Sequence, residues 1–139
     1  MVIDASVLAK LFSAEELSVE ARQIVGAADE VWAPAHALAE LAEVLTRKAA
    51  LNEMTWEQCV LALNTVVKLL RVAPLDTLLV PACEIAREIG CSVYDALYVA
   101  LARQRKEQVV TWDKRLLARV NGTPYASVVR PLGPLRPSA

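Results

Sequence analysis

The chain has 139 residues and a mass of 15.1 kDa, enough for one domain with a sizeable core. Apolar residues make up 55% and charged residues 22%, which excludes intrinsic disorder. A net charge of −1 excludes a globally basic nucleic-acid binder and leaves a local basic patch open.

In chain order, Val2-Ile3 is a short apolar strand followed at once by Asp4. Ala5 to Phe12 and Leu17 to Val25 read as short helices. Val31-Trp32-Ala33 is a strand candidate closed by Pro34. Leu38, Leu41 and Leu45 recur at helical spacing within residues 35–50, and Val60, Leu63, Val67 and Leu70 do so within 55–71. Thr55 followed by Gln58 is a capping-box pattern at the start of the latter. Arg71-Val72-Ala73 is another strand candidate. Ala82, Ile85, Ala86 and Ile89 form one helical stripe that stops at Gly90, and Pro81 must lie in that helix's first turn. Ser92 opens a helix to about Arg105, Gln108 to Thr111 is a strand, and Asp113 opens a last helix to about Val120. Ser127-Val128-Val129 is a candidate final strand, and Pro131, Pro134 and Pro137 predict an extended tail over 131–139 behind a domain at 1–130.

Short apolar strands separated by helices imply parallel pairing through crossovers. The expected class is α/β, a three-layer α/β/α sandwich around a short-stranded parallel sheet. The longest central apolar run, Ala96 to Ala102, is seven residues, so no membrane span is expected. An acid stands at the fourth residue, where a signal peptide would be basic or apolar, so a cytoplasmic protein is expected. Cys59, Cys83 and Cys91 match no zinc spacing and read as core thiols.

Ligands of parallel α/β sheets sit beyond the carboxyl ends of the strands. Asp4 follows the first strand directly and Asp113 follows the fourth after one residue, so parallel strands bring both to one edge. Asp95 stands in the first turn of a helix and Glu40 beside an Ala/Leu stripe. Each acid has a structural alternative: Asp4 and Asp113 as N-caps, Asp95 as an acid at a helix start, Glu43 as the partner of Arg47. Gathered at one edge, such carboxylates repel and raise one another's pKa, and a divalent cation relieves this. All-oxygen ligands suit Mg²⁺ or Mn²⁺, whose chemistry on a phosphoryl group is that of a nuclease.

These pieces resemble the PIN domain family, and within it the VapC-type toxin ribonucleases. The resemblance rests on Val2-Ile3-Asp4-Ala5-Ser6, on Pro34 through Glu40-Leu41-Ala42-Glu43-Val44-Leu45, on Ser92-Val93-Tyr94-Asp95-Ala96-Leu97-Tyr98-Val99-Ala100, and on Val110-Thr111-Trp112-Asp113-Lys114-Arg115-Leu116, in that order. It implies an Mg²⁺ or Mn²⁺ site made by Asp4, Glu40, Asp95 and Asp113, with Ser6 supporting it and Thr111 orienting its neighbouring Asp. It further implies an RNA substrate, a VapB-type antitoxin and a homodimer. The chain departs from the family at Trp112, where a smaller residue is usual, and at Glu43, where Asn or another polar residue is common. Trp112 is either packing or a base-stacking platform. His36, four residues before Glu40, reads as a helix-start residue with an outside chance of touching that acid.

Residues 103–119 hold six basic side chains against two acids. Arg103, Arg105, Lys106, Lys114 and Arg115 are candidates for an RNA-contacting rim, the alternative being solvated helix ends. Competing functions fit less well. An aspartyl phosphohydrolase wants a second acid where Ser6 stands, and a phospho-accepting receiver wants a paired acid at the first strand. A non-catalytic PIN-like module that binds RNA or a protein is the main alternative, with Leu8, Phe12 and Leu61 as candidates for its interface.

Overall fold

The computed structural model describes residues 1–133. Five strands alternate with seven helices: β1 (Val2–Ile3), α1 (Ala5–Leu11), α2 (Ser18–Ala27), β2 (Trp32–Pro34), α3 (His36–Ala50), α4 (Trp56–Leu69), β3 (Arg71–Ala73), α5 (Leu79–Ile89), α6 (Val93–Arg105), β4 (Val109–Thr111), α7 (Lys114–Val120) and β5 (Val129–Pro131). All neighbouring strands are parallel, in the order β3-β2-β1-β4-β5. The expected α/β class and parallel short-stranded sheet are therefore observed.

The order fixes the layers. The chain steps from β1 outward to β2 and β3, then returns past β1 to β4 and steps on to β5. Right-handed crossovers put helices made on the outward path on one face and those made on the return path on the other. The packing agrees: α1 touches α2 and α3, α3 touches α4, and α5 packs on α6, which lies along β1, β2 and β4. The reversal of direction falls between β1 and β4, where Val2 pairs with Val109 and Ile3 with Val110.

The two central strands are apolar because both their faces are covered. Val2, Ile3, Val109 and Val110 are buried, as is every residue from Ala96 to Ala102 in α6. Helix ends follow local chemistry. Thr55 and Gln58 form the full capping box, with Gln58 N donating to Thr55 Oγ1 at 3.1 Å and Thr55 N to Gln58 Oε1 at 2.9 Å. Gly90 ends α5 at φ 74°, a left-handed conformation that favours glycine.

Three expectations need correction. Cys83 is exposed on α5 and Cys91 only partly buried, so Cys59 is the one core thiol of the three. Leu8 is fully buried against the sheet and is not available to an interface, whereas Phe12 and Leu61 border a surface groove. The last strand runs two residues later than expected, to Pro131, and the buried Leu132 donates its N–H to Thr111 O at 2.8 Å. The fold thus includes the first part of the expected tail, and residues 134–139 of that tail lie outside the described residues.

Candidate active site

Four helices begin at the carboxyl edge of the sheet, and each carries one of the acids. Asp4 caps α1 and Asp113 caps α7, directly beyond β1 and β4 at the point where strand order reverses. Asp95 is in the first turn of α6, behind the N-cap Ser92, and Glu40 is in the second turn of α3. Helix N-termini carry partial positive charge, which favours carboxylates there. All four acids line one cleft of roughly 660 Å³, together with Ser6, Tyr98, Trp112, Glu43, Arg47, Lys48 and Glu15 over a floor of Ala5, Ala9, Ala39 and Val44.

Asp4 is the buried centre. Its Oδ1 accepts from Ser6 Oγ at 2.6 Å and from Val7 N at 3.2 Å, and its Oδ2 accepts a hydrogen bond from Thr111 Oγ1. Each of those hydroxyls also accepts a backbone N–H from the turn after β4. Ser6 Oγ takes Trp112 N at 2.9 Å, and Thr111 Oγ1 takes Asp113 N at 2.9 Å. Two hydroxyls thereby stitch the end of β1 to the end of β4, with the Asp4 carboxylate between them. Burial first, with a smaller push from the nearby Asp113 charge, lifts this carboxyl from 3.8 to about 6 against the pull of its three donors.

Asp113 spends Oδ1 on its cap, accepting from Arg115 N at 2.9 Å and Leu116 N at 3.3 Å. Its other oxygen takes no donor among the described residues. Asp95 is half-buried, and desolvation first, then the Asp113 charge and more weakly Glu40, hold its pKa above the usual carboxylate range. Glu40 Oε1 accepts from Tyr98 Oη at 3.0 Å and lies 2.9 Å from His36 Nε2. Burial, then the Glu40 and Asp4 charges, push the Tyr98 phenol far up, so it stays a donor.

The Asp113 charge thus bears on both Asp4 and Asp95, and the Glu40 charge on Asp95. The arrangement is nevertheless open: no three His, Cys, Asp or Glu groups among the described residues converge into a closed cation cage. That pattern fits a hard, water-retaining cation, which takes one or two carboxylates plus substrate oxygens and keeps several waters. The donor set is all oxygen and lacks the His or Cys that zinc prefers.

The basic stretch splits in two. Lys114 and Arg115 are exposed beside Asp113. Arg103, Arg105 and Lys106 lie at the far end of α6, on the order of 15 Å from Asp95 along the helix. There Arg105 pairs with Glu107 and Glu30 and stacks 3.9 Å over Trp32, and Arg103 sits 5.1 Å from the Tyr125 ring. Glu107 also binds the amino terminus, which marks this as the opposite edge of the sheet. The five candidates for an RNA-contacting rim therefore do not lie together, because a 13-residue helix carries Arg103, Arg105 and Lys106 from the edge of the site to the opposite one. Glu43 pairs with Arg47 at 3.1 Å, both exposed, as its spacing predicts.

Sequence reasoning missed two parts of the cleft. Tyr98 is one turn beyond Asp95 on α6, an i,i+3 relation that could have flagged it. The second part is an ion-pair lattice: buried Lys10 binds Glu15 at 3.1 Å, and Glu15 binds Lys48 at 2.9 Å. Lys10 Nζ also lies 5.1 Å from the Trp112 ring centroid. Only the tertiary structure joins these positions.

Residues 1–122 match the PIN domain family. The chain belongs to that family. A protein of Pyrobaculum aerophilum named ribonuclease VapC3 is 34% identical over 119 residues, covering 84% of this chain and 91% of its own. Among solved structures, a toxin–antitoxin complex from Klebsiella pneumoniae superposes with a TM-score of 0.63 at 18% identity, covering 93% of this chain and 94% of that one. VapC20 of Mycobacterium tuberculosis, described as a sarcin–ricin loop cleaving toxin, superposes with a TM-score of 0.67 at 22% identity over 84% and 92%. The similarity to VapC-type PIN domains expected from the motifs is thus found.

Proposed function

We propose that this PIN domain is a divalent-metal-dependent endoribonuclease and the toxin of a VapBC-type pair. The observation that carries the proposal is that Asp4, Glu40, Asp95 and Asp113 line one cleft beyond the carboxyl ends of β1 and β4, where the strand order reverses. The identity to a protein named ribonuclease VapC3 supports the substrate class.

In this reading Asp4, Asp95, Asp113 and Glu40 hold Mg²⁺ or Mn²⁺. When bound, the cation supplies charge neutralisation at the scissile phosphodiester and lowers the pKa of water. The protein's own residues do the rest. Ser6 and Thr111 hold the Asp4 carboxylate and stop it from turning away. The cap on Asp113 pins one oxygen and leaves the other for the cleft. Four carboxylates without a cation repel an anionic substrate, so RNA binding and cation binding are coupled. Lys114 and Arg115 are placed to meet phosphates on the Asp113 side, while Arg103, Arg105 and Lys106 serve the opposite edge.

A VapB-type antitoxin and a homodimer belong to the same proposal, and the Klebsiella complex supports the former. A cytoplasmic place of action follows from an RNA substrate and suits the exposed, free Cys83 thiol.

The test is cleavage of a quenched-fluorophore RNA with Mn²⁺, with Mg²⁺ and with EDTA, beside an Asp4→Asn control. Cation-dependent cleavage that the variant loses is the expected result. Equal cleavage by both proteins would assign the activity to a contaminant, and metal binding without turnover would favour the binding-module alternative.

A further inference from the structure

We infer that His36 is a positioning residue for Glu40, holding one carboxylate oxygen so that the other faces the cleft. The inference rests on the reading of the four acids as a cation site. His36 opens α3 and Glu40 follows one turn later. Nε2 lies 2.9 Å from Glu40 Oε1 and 2.9 Å from the Tyr94 carbonyl oxygen. Both neighbours are acceptors only, so Nε2 carries the proton, which it donates to the Tyr94 carbonyl while lying in close polar contact with Glu40 Oε1. Tyr94 immediately precedes Asp95 in the first turn of α6. One ring nitrogen therefore stands between the Glu40 carboxylate and the backbone that carries Asp95, bonded to the latter and in contact with the former, and the Glu40 charge in turn bears on Asp95.

Tyr98 completes the clamp. Its hydroxyl donates to the same Oε1 at 3.0 Å, and its ring centroid stands 4.8 Å from the imidazole. With Oε1 taking the Tyr98 hydroxyl and the imidazole contact, Oε2 takes no donor among the described residues. A glutamate side chain with several free torsions is thereby held at one of its two oxygens, the usual service that outer groups perform for a metal ligand.

A packing role alone does not account for this histidine. The ring is about nine-tenths buried, yet Nδ1 has no partner, the one such buried side-chain polar atom among the described residues. Leucine would fill the space without an orphaned nitrogen. What leucine lacks is the Nε2–H.

The experiment compares wild type, His36→Leu, His36→Gln and Glu40→Gln by calorimetric titration with Mn²⁺ alone and by thermal melting without metal. Leucine should weaken Mn²⁺ binding about ten-fold or more, without lowering the metal-free melting temperature. Glutamine, whose amide N–H reaches the Nε2 position, should restore most of that loss. His36→Leu should cost nothing further on the Glu40→Gln background. If leucine does not fold, His36→Asn, whose shorter amide cannot reach Glu40, replaces it. Mn²⁺ affinity unchanged by leucine, or equally weakened by leucine and glutamine, overturns the role of His36 and leaves the cation site standing. A wild-type protein that binds no Mn²⁺ overturns the cation site and this inference with it.

Discussion

Asp4 is the residue on which stability and function conflict. Its pKa near 6 exceeds the ordinary 3.8, so the folded chain binds this proton more tightly than the unfolded chain. Stability from this group is therefore present at low pH and falls as pH rises from about 4 to about 6. The full shift corresponds to about 3 kcal/mol, because a buried charge is held by hydrogen bonds alone. Asp4→Asn, lacking the charge, should melt higher than wild type in metal-free buffer at pH 8, and the gap should close on titration to pH 4. Mn²⁺ should raise the melting temperature of wild type and not of the variant. Mn²⁺ affinity should weaken as pH falls below about 6, since the cation must displace a proton. A variant that melts lower than wild type at pH 8 would contradict the burial account. At this scale the sequence was informative about identity. All four acids lie in the cleft, and Ser6 and Thr111 contact Asp4. Thr111 bonds to Asp4 as well as to the Asp113 backbone, a link across 107 residues that no local pattern contains.

Elements obey more local rules, and they were legible for that reason. Capping chemistry is set within four residues, so Thr55, Ser92 and Asp113 mark helix starts in the chain as they do in space. The structural and functional alternatives for Asp113 turn out not to compete, because it caps with one oxygen and leaves the other without a donor among the described residues, whereas Asp4 caps with Oδ1 and takes the Thr111 hydroxyl on Oδ2. Helix α4 lies outside the acidic cleft and offers the converse case. Thr55→Ala removes the Oγ1 acceptor of its capping box, leaving the bond from its backbone N–H to Gln58, and should cost about 1 kcal/mol, a fall of roughly 3–5 °C in melting temperature. RNA cleavage should be unchanged at a temperature where both proteins are folded. The strand limits were less legible: β5 runs to Pro131 because an edge strand tolerates proline where no ladder N–H is required.

For the whole molecule, the path of the chain through the sheet separates charges that the sequence sets side by side. Arg103 and Lys114 are eleven residues apart, yet α6 and β4 carry them to opposite edges. Replacing Lys114 and Arg115 together by Gln should reduce cleavage several-fold and flatten its salt dependence. Replacing Arg103 and Lys106 by Gln should leave both unchanged. The reverse pattern would move the RNA path to the other edge. The sequence by itself determined the fold class, the helix starts and the names of four carboxylates that line the cleft, because caps, periodicity and an ordered motif set act over short spans. Only the tertiary structure decided that β1 and β4 are neighbours, that two hydroxyls bridge them through Asp4, and that His36 reaches from α3 to α6. Those contacts join residues 58 to 107 positions apart, and long-range pairing is set by strand order and packing rather than by any local preference.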